Sequence, residues 1–138
     1  LSLIWNKEWE EEKKLPINTI AYSPGGFGLL SGKYSSTNPP KDERKTIKAL
    51  YSPLFPSLLE EIKTLGHKYN VSPYSISLSW VSEMEPWAIV RGVGKEEDLD
   101  IMTIQLEEDE VDNLSSIAKE ISLSNSSDNI FSHNWMLQ

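Results

Sequence analysis

The chain of 138 residues contains no cysteine, so disulfide bonds and thiolate metal sites are excluded, and a reducing compartment is consistent with the composition. It contains no apolar run near the length of about 20 residues that a membrane-spanning helix needs. Its first residues lack the basic and then apolar pattern of a secretory signal. We therefore expect no membrane partner and a cytoplasmic location.

Histidine is also scarce, with two residues in the chain. Neither His67 nor His133 has the neighbours that a catalytic or metal-binding role would need. The acidic run from Glu107 to Asp112 lacks the spacing and the central glycine of a calcium loop. The net charge of −8, with no basic face interleaved with aromatic residues, argues against a nucleic-acid partner. The sequence predicts neither a metal site nor a nucleic-acid interface.

A glycine-rich segment is the strongest feature that the chain does contain. A β-prone stretch, Thr19 to Tyr22, breaks at Ser23 and Pro24 into a loop with three glycines, which leads on to Lys33. Glycines after a strand let the backbone approach a ligand closely and present N–H groups to an anion, and a lysine supplies charge for a phosphate. The alternative is an ordinary turn. Residues 31–50 carry a local charge of +3, which favours an anionic ligand nearby or, alternatively, a solvated loop.

The string AYSPGGFGLLSGKY resembles the segment that aldo-keto reductases carry late in their (β/α)8 barrel, AYSPL followed by small residues and GLLTGKY. In that family the turn follows the seventh strand and wraps the pyrophosphate of the nicotinamide nucleotide. The resemblance implies an NADP(H) cofactor and binding roles for Ser23, Pro24, Gly26, Gly28 and Lys33. Gly25 stands where the family has leucine, which we expect to loosen the loop and to remove an apolar contact.

The resemblance extends along most of the chain. Leu1 to Ile4 is similar to the end of the sixth strand, Glu8 to Lys14 to a shortened sixth helix, and Leu65 to Trp80 to a helix pattern of the family. The SGKYSS string and the position of Arg44 are most similar to plant chloroplast pyridoxal reductases, which implies a cofactor contact for Arg44. That subgroup implies a plastid location if a transit peptide lies upstream.

A second cofactor turn is expected after the predicted strand Trp87 to Arg91. The family reads Pro, Gly, a small residue and then Lys or Ser, where this chain reads RGVG, so that only Gly92 matches. Further on, Asp98 stands where the family has Gln or Arg, and a carboxylate there repels a phosphate. Lys95, shifted by one position, compensates for the lost charge. The resemblance therefore gives Gly92 and Lys95 as cofactor contacts, whereas Asp98 is expected to weaken NADP binding.

The predicted fold class is α/β, the C-terminal part of a (β/α)8 TIM barrel that is incomplete in this chain. A closed barrel takes about 250 residues and all of its strands. Here two strands are clear, Thr19 to Ser23 and Trp87 to Arg91, besides the stub at the N-terminus. The partial domain covers residues 1–121, and residues 122–138 form a C-terminal tail.

Three helices are predicted from apolar spacing and end signals. The first begins near Pro53 and Pro56 and buries a stripe that ends at Tyr69. Ser72 and Pro73 open the second, in which Trp80 is a packing residue, and Glu85 with Pro86 ends it. The third runs from Leu106 to Ile121.

The resemblance implies reduction of a small aldehyde or ketone, but it does not cover the catalytic residues. Aldo-keto reductases act through an Asp, a Tyr, a Lys and a His from early strands, upstream of the portion matched here, and no residue of this chain corresponds to them. Three interpretations remain open. The chain is the C-terminal part of a reductase, a non-catalytic remnant, or a nucleotide-sensing subunit like the β subunits of potassium channels.

Overall fold

A computed structural model describes residues 20–94, 96, 101 and 103–125 of the chain. The strand stub at Leu1 to Ile4, the helix at Glu8 to Lys14, and Lys95 lie outside the described residues, as do residues 126–138 of the tail. The elements of the described part are two strands, β1 (Ile20–Tyr22) and β2 (Ala88–Val90), and three α-helices, α1 (Phe55–Tyr69), α2 (Pro73–Glu83) and α3 (Glu108–Asn125). Short 3-10 helices occur at Leu29–Ser31, Glu43–Thr46 and Lys48–Tyr51.

The two strands lie side by side and parallel, in the register Ile20 to Ala88, Ala21 to Ile89 and Tyr22 to Val90. Parallel neighbours require a long crossover connection, which α1 and α2 provide here. Both predicted strands are present and slightly shorter than predicted, since Ser23 and Arg91 each lie just past a strand end. The α/β class is confirmed in the described residues, which form a two-stranded sheet and not a closed barrel.

One face of this sheet is open to solvent. Ile20, Tyr22 and Val90 share that face because side chains alternate along a strand and the register pairs Tyr22 with Val90. Their side chains are between 55% and 57% exposed. Apolar strand residues normally lie against a second layer. The described residues therefore leave one apolar face of the sheet without the layer that would normally cover it.

The core lies between the helices instead. Helix α1 starts at Phe55, as the prolines predict, and buries its apolar stripe, which consists of Phe55, Leu58, Leu59, Ile62 and Leu65. It ends at Asn70, which adopts a left-handed conformation with φ of 54° and donates its N–H to carbonyls of the last turn. This stripe packs against α2 and α3 in one core cluster.

The apolar spacing of helix α2 predicts one buried face, formed by Ile76, Trp80, Val81 and Met84. Instead, every residue from Ser75 to Val81 is buried, so that the helix is covered on nearly all sides. Ser72 caps it as predicted, accepting the Ser75 N–H at 3.1 Å. Its serines tolerate burial because their hydroxyls return to the helix, with Ser79 donating to the Ser75 carbonyl at 2.8 Å. Trp80 is 1% exposed, and its indole N–H donates to the Ser115 hydroxyl at 3.0 Å, so its predicted packing role is confirmed.

Helix α3 begins two residues after the predicted start, Leu106, and continues four residues beyond the predicted end, Ile121. The boundary proposed between domain and tail therefore falls inside a helix. The apolar spacing predicts that Val111, Leu114, Ala118 and Ile121 face inward. The last three are buried, and Val111 is partly buried against the core. No helix in the described ranges is long and apolar enough to cross a membrane.

A buried carboxylate joins α3 to the end of α1. Glu110 accepts hydrogen bonds from the Lys68 Nζ at 2.7 Å, the Tyr69 hydroxyl at 2.7 Å and the Glu107 N–H at 2.9 Å. Burial raises the pKa of Glu110, but these hydrogen bonds outweigh it, and the pKa lies below the ordinary carboxyl value. The sequence did not indicate this contact, since the partners are about 40 residues apart.

Candidate functional site

An open cavity of about 480 Å³ lies where β1 and β2 end. The residues that line it come from the glycine-rich loop, from the start of α2 and from the segment after β2: Ser23, Gly25, Phe27, Gly28, Ser31, Tyr74, Arg91, Gly92 and Ile101. Its size is within the range of small-molecule pockets. Ligand sites in parallel α/β folds form at the carboxyl ends of the strands. The cavity is therefore the best candidate for a binding site in the described residues.

The glycine-rich loop is folded on itself by tight turns. Ser23, Gly26 and Gly28 have φ values of 52°, 56° and 85°, a left-handed conformation that favours glycine. The Gly26 N–H donates to the Ser23 carbonyl at 2.8 Å, and the N–H groups of Gly28 and Leu30 both donate to the Gly25 carbonyl. The N–H groups of Gly26 and Gly28 are therefore engaged within the loop, and the cofactor contacts of these two residues stay a prediction. If an anion binds here, side chains must therefore supply hydrogen bonds that these N–H groups do not.

Gly25 does not loosen the loop as predicted, because an aromatic ring occupies the space beside it. A Cβ atom at Gly25 would lie only 2.6 Å from Cδ2 of Tyr74, a distance at which something must shift. Gly25 is buried, and its carbonyl accepts two hydrogen bonds. The missing leucine is thus compensated by Tyr74, whose ring packs on the loop and lines the cavity.

Arg44 contacts the glycine-rich loop but does not line the cavity. Its Nη1 donates to the Phe27 carbonyl at 2.8 Å, and its Nη2 forms an ion pair with Asp42 at 2.7 Å. The hydrogen bonds from Arg44 lower the pKa of Asp42 to about 2. The guanidinium also lies 5.1 Å from the centre of the Tyr34 ring. These contacts show a role in positioning the loop, and a cofactor contact by Arg44 stays a prediction.

The remaining predicted residues are only partly brought together. Ser23, Gly28 and Gly92 line the cavity. Pro24 and Gly26 are buried within the loop beside it. Lys33 is exposed, with its Nζ 5.6 Å from the centre of the Tyr34 ring, and it is not part of the lining. Across the described ranges, no group of three His, Asp or Glu side chains is placed to hold a metal.

Arg91 is the lining residue of most chemical interest, and it was not among the predicted contacts. It directly follows β2, and its Nη1 atom is buried with no hydrogen-bond partner in the described part of the chain. An unpaired buried donor on a cation is costly unless a ligand satisfies it. A signal was present in the sequence, since the two predicted strands end at Ser23 and Arg91 and parallel pairing brings those ends together.

Comparisons with known proteins agree with this architecture. The sequence model of the aldo/keto reductase family matches residues 11–119. Aldo-keto reductase str7 from Strobilurus tenacellus is 33% identical over 121 residues, a match that covers 80% of this chain and 36% of that protein. No solved structure matches the chain. Because the family match covers most of its residues, the chain belongs to the aldo/keto reductase family, whose fold is a (β/α)8 barrel.

Proposed function

We propose that the chain is the C-terminal part of an NADP(H)-dependent aldo-keto reductase and that it supplies the loops that hold the cofactor. The observation that carries this proposal is the cavity at the carboxyl ends of two adjacent parallel strands, lined by a glycine-rich loop and by Arg91. Both loops meet at one site although 68 positions separate Ser23 from Arg91 in the chain.

The residues of the cavity fit part of a phosphate-bearing cofactor. Gly28 and Gly92 add no side chain to the lining, one on each loop, and a Cβ added at Gly92 would meet no atom within 4 Å. Arg91 brings a buried guanidinium donor that lacks a partner in the described residues. Such a donor is suited to a phosphate oxygen. A nicotinamide bound here would supply the hydride that reduces a carbonyl, while these residues bind and orient the nucleotide.

The open face of the sheet supports a role as part of a larger barrel. Ile20, Tyr22 and Val90 are more than half exposed, yet they are the residue types that strands bury. The chain matches only 36% of the length of aldo-keto reductase str7. We infer that further barrel strands cover this face and bring the catalytic Asp, Tyr, Lys and His with them.

The substrate of the assembled enzyme would be a small aldehyde or ketone. The resemblance to plant pyridoxal reductases makes pyridoxal the first compound to test, and with it a plastid location. Substrate choice in barrel enzymes depends on loops from several strands. Pyridoxal reduction is therefore a property to assay in a protein that carries those strands.

A non-catalytic remnant is the second candidate, and the segment after β2 favours it. Gly94 is exposed and has no side chain where the family has a basic or hydroxyl residue. Glycine at position 94 removes a side chain that contacts a phosphate in the family, so that the affinity for NADP would be reduced. A remnant would retain the helical core and bind the nucleotide weakly or not at all.

Thermal unfolding of the purified chain with and without NADPH tests the proposal. A ligand that binds only the native state, at a hundred times its Kd, adds about 2.7 kcal/mol, a shift of several degrees for a domain of this size. Adenosine, which lacks the phosphates, is the control and should not raise the midpoint. A cooperative transition that NADPH leaves unchanged would contradict cofactor binding and favour the remnant.

A further inference from the structure

We propose that Arg91 and Ser23 form a phosphate-binding subsite across the ends of β1 and β2, with Arg91 as its cation. That the phosphate belongs to a nicotinamide nucleotide rests on the proposed function, whereas the subsite itself rests on the geometry. The register pairs Tyr22 with Val90, so the next residues, Ser23 and Arg91, follow adjacent strand ends, and both line the cavity. Neighbouring strands lie about 4.8 Å apart, close enough for two side chains to share one ligand.

The electrostatics of the cavity favour an anion. Among the described residues that line it, Arg91 is a cation and none is a carboxylate. Two other cations belong to this region of the chain. Arg44 forms an ion pair with Asp42, and Lys33 is not part of the cavity lining. An anion in the cavity would therefore meet Arg91 without competition from a carboxylate among the described lining residues.

The hydrogen-bond pattern points to Arg91 independently. Its Nη1 is buried and has no partner in the described residues. The loop N–H groups of Gly26, Gly28, Leu29, Leu30 and Ser31 all donate to loop carbonyls, so they are not free to hold an anion. Ser23 lines the same cavity and brings a hydroxyl that can donate. A phosphate oxygen that accepts from both would satisfy the buried donor.

Phosphate is the anion that this chemistry fits best. The guanidinium offers two parallel N–H donors, which match two oxygens of a phosphate group. The glycines of both loops leave room for a tetrahedral group against the backbone. The resemblance places a proline at position 91 and a basic or hydroxyl residue at position 94, where this chain has Arg91 and Gly94. The positive charge is thus displaced by three positions toward the strand end.

Isothermal titration of the chain with sodium pyrophosphate, NAD⁺ and NADP⁺ at constant ionic strength tests the subsite. Arg91→Gln should weaken pyrophosphate and NADP⁺ binding by about tenfold or more, the usual loss for a charged hydrogen bond. Arg91→Lys should retain part of the affinity, and Ser23→Ala should lose less than Arg91→Gln. Lys119→Gln, the same charge change at an exposed position of α3, is the control and should bind within about twofold of the parent chain.

The nucleotides identify which phosphate is held. An equal loss for NAD⁺ and NADP⁺ in Arg91→Gln assigns the pyrophosphate, and a loss confined to NADP⁺ assigns the 2′-phosphate. Binding of pyrophosphate but not of NADP⁺ by the parent chain would support the subsite and contradict the proposed cofactor. Equal affinities of Arg91→Gln and the parent chain, or no anion bound by the parent, would overturn the subsite.

Two readouts separate binding from a structural role of Arg91. Without ligand, Arg91→Gln should unfold at the same or a higher temperature, because it removes a buried donor that has no partner. Modification of Arg91 by phenylglyoxal, followed by mass spectrometry, needs no variant and should be slowed by pyrophosphate. Unchanged modification at saturating pyrophosphate would overturn the proposal even if the variant fails to fold.

Discussion

The helices and the sheet of this chain differ in how completely they are packed. Where α1, α2 and α3 meet, the largest side chains are nearly inaccessible, with Trp80 and Phe55 each 1% exposed. On the sheet, Trp87 beside β2 is 67% exposed, and Tyr22 within β1 is 57% exposed. Large aromatic side chains are therefore buried among the helices and exposed at the sheet. The helices bury their large side chains against one another, whereas the strands carry apolar residues that the described part of the chain leaves exposed on one face.

The residues that we expect to determine stability therefore differ from those that we expect to bind a ligand. The hydrogen bonds of Glu110 and Trp80 tie helix to helix, far in sequence from the glycine-rich loop. The cavity lies at the strand ends, where Arg91 keeps a buried donor without a partner in the described residues. We expect substitutions among the helices, and at the contact of Gly25 with Tyr74, to change unfolding, and substitutions of Arg91 or Ser23 to change binding.

The largest expected effect is loss of the tryptophan in α2. Trp80→Ala should lower the free energy of unfolding by about 3–5 kcal/mol, because it removes a fully buried ring and leaves the Ser115 hydroxyl without its donor. Trp87→Ala, at an exposed site, is the matched control and should change it by about 0.5 kcal/mol or less. Urea unfolding followed by circular dichroism measures both. Similar losses for the two variants would contradict the contrast between helices and sheet.

The next effect tests the contact between the loop and α2. Gly25→Ala places a methyl group against the Tyr74 ring and should cost about 1–3 kcal/mol, the usual range for overpacking. Gly92→Ala, at the other side of the cavity, meets no atom within 4 Å and is the control. Urea unfolding of both variants gives the comparison.

A double variant identifies the cause of that cost. Adding Tyr74→Ala to Gly25→Ala should recover part of the loss, since the colliding ring is removed and the two substitutions then couple. Strictly additive losses would mean that Gly25 is required for some reason other than the Tyr74 ring.

A smaller, pH-dependent effect is expected at the junction of α1 and α3. Glu110→Gln should cost about 1–3 kcal/mol at pH 7, because the carboxylate that accepts from Lys68 and Tyr69 is lost. The pKa of Glu110 is lowered in the folded chain, so this stability is complete above the ordinary carboxyl value of 4.5 and is lost as the pH falls through the lowered pKa.

The pH dependence of the unfolding free energy tests whether the pKa of Glu110 is lowered in the folded chain. The difference between the parent chain and Glu110→Gln, from urea unfolding, should be constant from pH 6 to pH 8 and should shrink toward pH 3. Glu108→Gln, an exposed acid in the same first turn, is the control and should follow the parent chain within about 0.5 kcal/mol. A difference that grows as the pH falls would contradict the lowered pKa.

The helices could be predicted well because their signals are local. The Ser72 cap with Pro73 occupies two adjacent positions, and the stripe of α1 recurs within one helix, so that each signal can be read from a short segment; both are observed. The burial of Ser77 and Ser79 was missed because hydropathy counts serine as polar, whereas its hydroxyl can bond back to the helix. The end of α3 was missed since no glycine or proline marks it.

The site was predicted less completely, because its geometry depends on contacts between distant segments. The glycine-rich string correctly indicated the loop, and Ser23, Gly28 and Gly92 do meet at the cavity. The role of Tyr74 in compensating for Gly25 could not be read from either residue alone. Arg91 required one further step, pairing the two predicted strands in parallel, which would have placed it opposite Ser23.

The smallest expected effect concerns the open face of the sheet. Val90→Ser should change the free energy of unfolding of this chain by about 0.5 kcal/mol or less, because Val90 is 57% exposed and little apolar area is lost. In a protein that also carries the remaining barrel strands, the same substitution should cost about 1–3 kcal/mol, since the valine would then be buried. Urea unfolding of the pair in both proteins measures the difference. Equal small costs in both would mean that this face stays exposed, and the proposal that further strands cover it would fail.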